Sequence, residues 1–257
     1  SVGNRIFNGL HYNSTELGGG GWNGLSTLAE FYDMFEGDPN SNRGELDGTP
    51  LDGQEERRGW VPNAGTPFTG AAGTKDDNSD GFEDGSNVGF GFLIGQQYTP
   101  NGSLMKDRPG NNLIFTNDFH GLVGNNERTG IRVIKYGPRY GEFLSHEIIF
   151  RYADAHLMKA EAMMRSGGDP TAMVNELRTL REATPLGTVS EADLLAERGR
   201  ELYVEFVRRG DMIRFGQYTR DWEFKDPSAV GDDTKLLFPI PNNALLSNPN
   251  LVQNPGY

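Results

Sequence analysis

The sequence predicts a mainly α-helical scaffold with long loops and a few short strands, and three observations predict it. Residues Ile149 to Gly216 carry three consecutive helical signals, each with its own stop. Short apolar runs at 88–98, 112–116 and 131–136 are bounded by turn residues and read as strands. Elsewhere 35 glycines and 14 prolines, against 35% hydrophobic residues in 257, leave much of the chain to turns and loops. That length is sufficient for a sizeable core, and no linker forces a division, so residues 1–257 are read as one unit.

Taken in order, Ile6 to His11 reads as a strand, and the run Gly18-Gly19-Gly20-Gly21 after it is flexible unless packed. Such a run also lets a ligand approach the backbone. From Trp22 to Phe35, the spacing of Leu25, Leu28, Phe31, Tyr32 and Phe35 predicts a short amphipathic helix whose aromatics read as core. Residues 36–89 are mostly Gly, Asp, Asn, Pro and Thr, a long irregular stretch of the kind that is either functional or disordered. The apolar runs follow, with Pro100-Asn101-Gly102 as the turn between the first two.

In the first helical segment Ile149, Tyr152, Ala153, His156, Leu157, Ala160 and Met164 recur at three- and four-residue steps and form one stripe, which Gly167-Gly168 ends. Asp169 then caps a second helix with Pro170 at its first position and Met173, Val174, Leu177 and Leu180 as its stripe. Pro185 and Gly187 stop it. Ser190 with Asp193 resembles a capping box and opens a third helix expected to reach about Arg209. The first two form a helical hairpin of tetratricopeptide type. Such units do not bury their apolar faces alone and usually stack in groups of about three.

These residues carry a resemblance to a known family. The run Arg151-Tyr152-Ala153-Asp154 with Leu157-Met158 and Ala160-Glu161-Ala162, then Glu201-Leu202, Glu205, Arg208 and Asp211 to Gly216, is similar to the SusD/RagB family. So are Phe238-Pro239-Ile240-Pro241, Asn248-Pro249-Asn250-Leu251 and the closing Gln253 to Tyr257, and, earlier, Trp22-Asn23-Gly24, Glu30 to Asp33 and Gly91 to Gly95. The resemblance covers most of residues 22–257 and the C-terminal half of a full-length family protein. It implies a SusD-like tetratricopeptide-type scaffold in a cell-surface lipoprotein of the outer membrane that captures a glycan or similar nutrient for a SusC-like TonB-dependent transporter. It also implies that the protein's own N-terminal half is a partner and that a lipidated cysteine lies upstream of Ser1. Two positions depart from the family pattern. Phe215 stands where an Arg-Trp-Gly step is common, and Glu205-Phe206-Val207-Arg208 replaces Glu-Gly-x-Arg.

Charge narrows the partners further. Lys and Arg number 24 against 36 Asp and Glu, giving −12 with no dense basic run, which disfavours nucleic acid and anionic membrane surfaces and favours a neutral or cationic ligand. With no cysteine there are no disulfides or thiolate metal sites. No run approaches the roughly 18 apolar residues of a membrane span.

Candidate ligand-binding residues are Trp60, with Trp22 and Tyr12 as weaker ones. Trp60 sits in the Gly-rich loop, where an indole face covering roughly 50 Å² of a sugar's C–H face is worth on the order of 1 kcal/mol. Its plainer role is to pin the loop to the scaffold. Asp76, Asn78 and Asp80, before Gly81, fit the opening of a calcium loop, but Asn87 replaces the bidentate Glu. The pattern reads first as a solvated acidic turn and second as a calcium site; no other cofactor is expected. Asp118 and His120 are close but lack a third partner. Glu197, Glu201 and Glu205 could hide a glycosidase pair, yet Arg198, Arg200, Arg208, Arg209 and Arg214 match them and favour an ion-pair network. The sequence thus favours a non-catalytic glycan binder, ahead of a structural helical-repeat adaptor and a glycoside hydrolase.

Overall fold

Apolar runs become paired strands wherever another run supplies the opposite ladder. A computed structural model describes residues 9–14, 20–40, 43–44, 55–62, 90–99, 103–135 and 149–257, with 43–44, 60–62 and 90 described by backbone alone. The chain forms two compact units, Ser1–Ser190 and Glu191–Tyr257.

In the first unit the elements are β1 (Ser26–Thr27), α1 (Ala29–Tyr32), β2 (Arg43–Gly44), a 3₁₀ turn (Glu56–Arg58), β3 (Gly59–Pro62), β4 (Phe90–Leu93), β5 (Gly95–Gln96), β6 (Ile114–Phe115) and β7 (Ile131–Ile134). The strands β1-β7-β4-β3-β2 form one sheet in that order, antiparallel except for β2 against β3, and β5-β6 form a second pair. Gly91, at φ +75°, lets β4 cross close to β3: a Cβ there would lie 2.4 Å from the Arg58 carbonyl oxygen.

Leu10, Leu93, Met105, Leu113, Phe115 and Ile134 pack into one buried cluster. A second group is aromatic, with Phe92 making edge contacts to Tyr32 at 5.3 Å and Phe35 at 5.0 Å between centroids. These aromatics are core, as the sequence predicts. The helix predicted over 22–35 shrinks to the single turn of α1, because Ser26 and Thr27 pair with Ile131 and Arg132 and Asn23 takes a left-handed φ of +52°. Tertiary pairing overrides helical periodicity there. The predicted strand ending at His11 is absent in its described part: Leu10 and His11 lie outside any strand.

The helical hairpin consists of α2 (Tyr152–Arg165) and α3 (Thr171–Leu180). Asp169 caps α3 by accepting from the Thr171 N–H at 2.9 Å, one residue from the predicted register. Ala153, Leu157 and Ala160 of α2 and Val174 and Leu177 of α3 are buried, whereas Ile149, Phe150, Tyr152 and Leu180 are exposed. Three of the eleven predicted stripe residues, Ile149, Tyr152 and Leu180, are therefore exposed, and Tyr152 and Leu180 line a groove of about 240 Å³ with His156, Leu177 and flanking charges. Glu36 ties the hairpin to the sheet-bearing part of the unit, accepting from Arg178 at 2.6 Å and from the Thr184 N–H and hydroxyl.

The second unit holds α4 (Glu191–Leu202), α5 (Arg208–Arg214), two 3₁₀ turns and α6 (Asn242–Ser247). The helix predicted to run to Arg209 breaks after Leu202, with Val204 and Phe206 at φ +63° and +64°. The break folds α5 back on α4: Arg198 meets Asp211 at 2.9 Å, Asp211 also holds Arg214 at 2.7 Å, and Arg208 donates to the Leu195 carbonyl at 2.6 Å. Gly199 leaves room for that crossing, since a Cβ would lie 2.8 Å from the Arg208 guanidinium. Phe206 occupies the position where the SusD/RagB pattern places glycine, which explains why glycine suits it: only glycine adopts φ near +60° without steric cost. In the C-terminal tail Leu237, Phe238, Leu246 and Val252 are exposed, so apolar burial is not what holds it. Polar contacts clasp it instead. Gln253 both accepts from the Ile240 N–H and donates to the Ile240 carbonyl, Asn254 donates to Phe238, and the Tyr257 hydroxyl donates to Leu237.

Candidate binding site

Loops 9–14 and 20–23 run side by side, joined by hydrogen bonds from the Gly21 N–H to the His11 carbonyl and from the Asn23 N–H to the Leu10 carbonyl. A Cβ at Gly20 or Gly21 would overlap the carbonyl of Tyr12 or Leu10. These two glycines therefore serve backbone packing rather than ligand approach.

The contact exposes Tyr12 (39%) and Trp22 (57%) while burying His11 (2%). His11 Nδ1 accepts from the Asn13 N–H at 3.1 Å, so the proton sits on Nε2, which donates to Glu127 at 2.9 Å. Burial pushes the His11 pKa below its ordinary value, against the pull of Glu127, and keeps this neutral tautomer. Glu127 also accepts from the Arg108 backbone N–H at 2.9 Å and from Arg108 Nε. Desolvation raises the Glu127 carboxyl, but the bonds from Arg108 and His11 and the guanidinium charge outweigh it and hold the pKa at about 2.

Fixed in this way, the Arg108 guanidinium lies over the Tyr12 ring, 4.2 Å from its centroid. Beneath the loops Arg132, 3% exposed, donates to the Asn23 side chain at 2.8 Å and to the carbonyls of Thr129, Gly130 and Glu127. Burial lowers its pKa to about 10, so it stays charged.

The other predicted site residues scatter. Trp60 lies on β3 opposite Phe90 rather than in an irregular loop, and only its backbone is described. Asp76, Asn78 and Asp80 lie outside the described residues. Among those described, no group of three metal-ligating side chains converges. Asp118 and His120 are 3.5 Å apart and both solvent-facing. The ion-pair reading of the third helix is found: Glu197 is fully buried and accepts from Arg200 Nε at 3.1 Å. Asp211 is buried between Arg198 and Arg214. Sequence reasoning missed Arg108, Glu127, His11 and Arg132. The pairs that converge them, Arg108 with Glu127, Arg132 with Asn23 and His11 with Glu127, are 19, 109 and 116 residues apart, and no periodic spacing marks such pairs.

A model of the SusD family matches residues 3–257. The chain belongs to the SusD family. Starch-binding protein SusD of Bacteroides thetaiotaomicron is 40% identical over 116 residues, 42% of this chain and 21% of that protein. SusD-like protein P38 of Formosa agariphila is 32% identical over 126 residues, 43% of this chain and 24% of that protein. The matched stretch thus spans about a quarter or less of each curated relative. A solved SusD-like protein from Bacteroides fragilis superposes on all of this chain with a TM-score of 0.58 at 20% identity, using 52% of its own length. The family's mainly helical fold with few short strands is therefore this chain's fold, and among the described residues no helix is long and apolar enough to cross a membrane.

Proposed function

We propose that this SusD-family protein binds a glycan without altering it and hands it to a SusC-like TonB-dependent transporter at the cell surface, to which a lipid anchor upstream of Ser1 holds it. The observation that carries the binding reading is the partly exposed Tyr12 ring, stacked against Arg108 on a loop whose backbone pairs with the loop that exposes Trp22. An aromatic with few degrees of freedom stacks on a sugar at low entropic cost. Starch binding by SusD, the relative with 40% identity, supports the same class of ligand. A passive role is supported by the α4 carboxylates, since Glu197 and Glu201 are buried at 0% and 2% and Glu197 is taken up by Arg200.

Trp60 remains a proposed contributor, on a strand rather than a loop. Calcium at Asp76, Asn78 and Asp80 remains a proposal that chelation during a binding assay tests. The protein's own N-terminal half is the proposed cover for Ile149, Phe150, Tyr152 and Leu180, an apolar face the hairpin leaves open.

A glycan-array screen followed by calorimetry tests the reading. Tyr12→Ala and Trp22→Ala are each expected to weaken the selected glycan by about tenfold with the fold intact. Unchanged affinity in both, and in Trp60→Ala, removes this surface from the site. Release of reducing ends, lost on Glu197→Gln, would make the protein a hydrolase instead.

A further inference from the structure

Arg108 is built to do more than stack. Its backbone N–H and Nε both bind Glu127, and no hydrogen-bond partner for its two terminal nitrogens occurs among the described residues; the side chain is 62% exposed. The Tyr12 hydroxyl likewise has no partner among them. A guanidinium locked by one carboxylate and stacked on one face of a tyrosine, with its outer N–H pair left without a partner, matches a planar pair of anionic oxygens on a ring that packs beside that stack.

The surrounding charge favours such a ligand. In loops 9–14, 103–113 and 126–132 the acids are Asp107 and Glu127. Asp107, its side chain 4% exposed, accepts from the Asn111 N–H at 2.6 Å and meets Arg128 at 3.6 Å, and Glu127 is consumed by three donors. The exposed charges there are Lys106, Arg108 and Arg128. The net charge of −12 disfavours an anion at long range. At physiological ionic strength, however, charges beyond about 8 Å are largely screened, so a bound substituent meets the local cations.

We infer that Tyr12 and Arg108 form a subsite for an acidic sugar unit, the ring packing against the part of Tyr12 that Arg108 leaves exposed and a carboxylate or sulfate ester bridging the terminal nitrogens of Arg108, with Glu127 as the positioning residue. This rests on the glycan-binding reading and specifies its ligand class. The same subsite discriminates against uncharged analogues, because an anion paired with a fixed guanidinium has no equal in a hydroxyl.

The test is calorimetry on the 257-residue protein with three probes: an oligogalacturonide, the same oligosaccharide after carboxyl reduction, and a sulfated galactan oligosaccharide. The expected result is binding of an acidic probe at least about tenfold tighter than the reduced one, weakened by raising salt. Arg108→Gln should abolish that difference. Arg108→Lys should restore only part of it, since lysine keeps the charge and loses the fork. Glu127→Gln should weaken the acidic probe by a larger factor than the reduced one, an unequal loss that general unfolding does not produce. Preference for the oligogalacturonide assigns a carboxylate, and preference for the galactan assigns a sulfate. Equal affinity for acidic and reduced probes, or equal loss of both in Arg108→Gln, overturns the inference and leaves glycan binding standing. Binding of no probe here and of no glycan on the array overturns both.

Discussion

The loops around Tyr12 and the hairpin of α2 and α3 are ordered by opposite means. The hairpin has regular backbone hydrogen bonding and an apolar seam of Ala153, Leu157, Ala160, Val174 and Leu177, but leaves Ile149, Tyr152 and Leu180 of its stripe exposed. The loops have almost no regular structure. They are held by charged and amide side chains that satisfy loop carbonyls one at a time, with Arg132 and Glu127 as hubs. Repetitive order tolerates an open face and accepts neighbours, whereas hub order fixes individual side chains in space, which a binding site needs.

Breaking a hub should do the most damage. Arg132→Met leaves three carbonyls and the Asn23 amide without their donor, and a loss of roughly 3–5 kcal/mol is expected from urea unfolding, with exchange protection lost first in loops 20–23 and 126–132. Leu157→Ala, at a site with no solvent exposure, is expected to cost about 2–5 kcal/mol by the same measurement without changing glycan affinity. If Leu157→Ala disturbs the Tyr12 loops as much as Arg132→Met does, the two regions are not independent in the way their contacts indicate.

Acid sharpens the contrast. The Glu127 carboxyl is held at about 2 in the folded protein against an ordinary 4.5, so its contribution to stability is fully present above 4.5 and is lost as pH falls from there toward 2. Melting temperature followed down that range should fall less steeply in Glu127→Gln, which has no such proton to take up. The smallest effect expected is a gain. Phe206 is 80% exposed with φ at +64°, and Phe206→Gly removes left-handed strain at the cost of added unfolded-state freedom, for a net gain of a few tenths to about 1 kcal/mol.

The sequence by itself determined the helical hairpin, its cap at Asp169, the core role of Tyr32 and Phe35, and the family, because each rests on local spacing or on contiguous motifs. Tyr12 and Trp22 were named from residue type as weaker ligand candidates, but their exposure was not legible, since Trp22 opened a segment whose aromatics read as core. Only the tertiary structure decided that 22–35 gives up its helix to pair Ser26 with Arg132, and that the third helix breaks at Val204 so that Asp211 reaches Arg198. It also decided that His11, Glu127 and Arg108 converge on Tyr12. Periodicity records which face of an element is buried. It carries no record of which distant polar group will meet a buried charge, and the free energy of leaving that charge unpaired is what selects the partner.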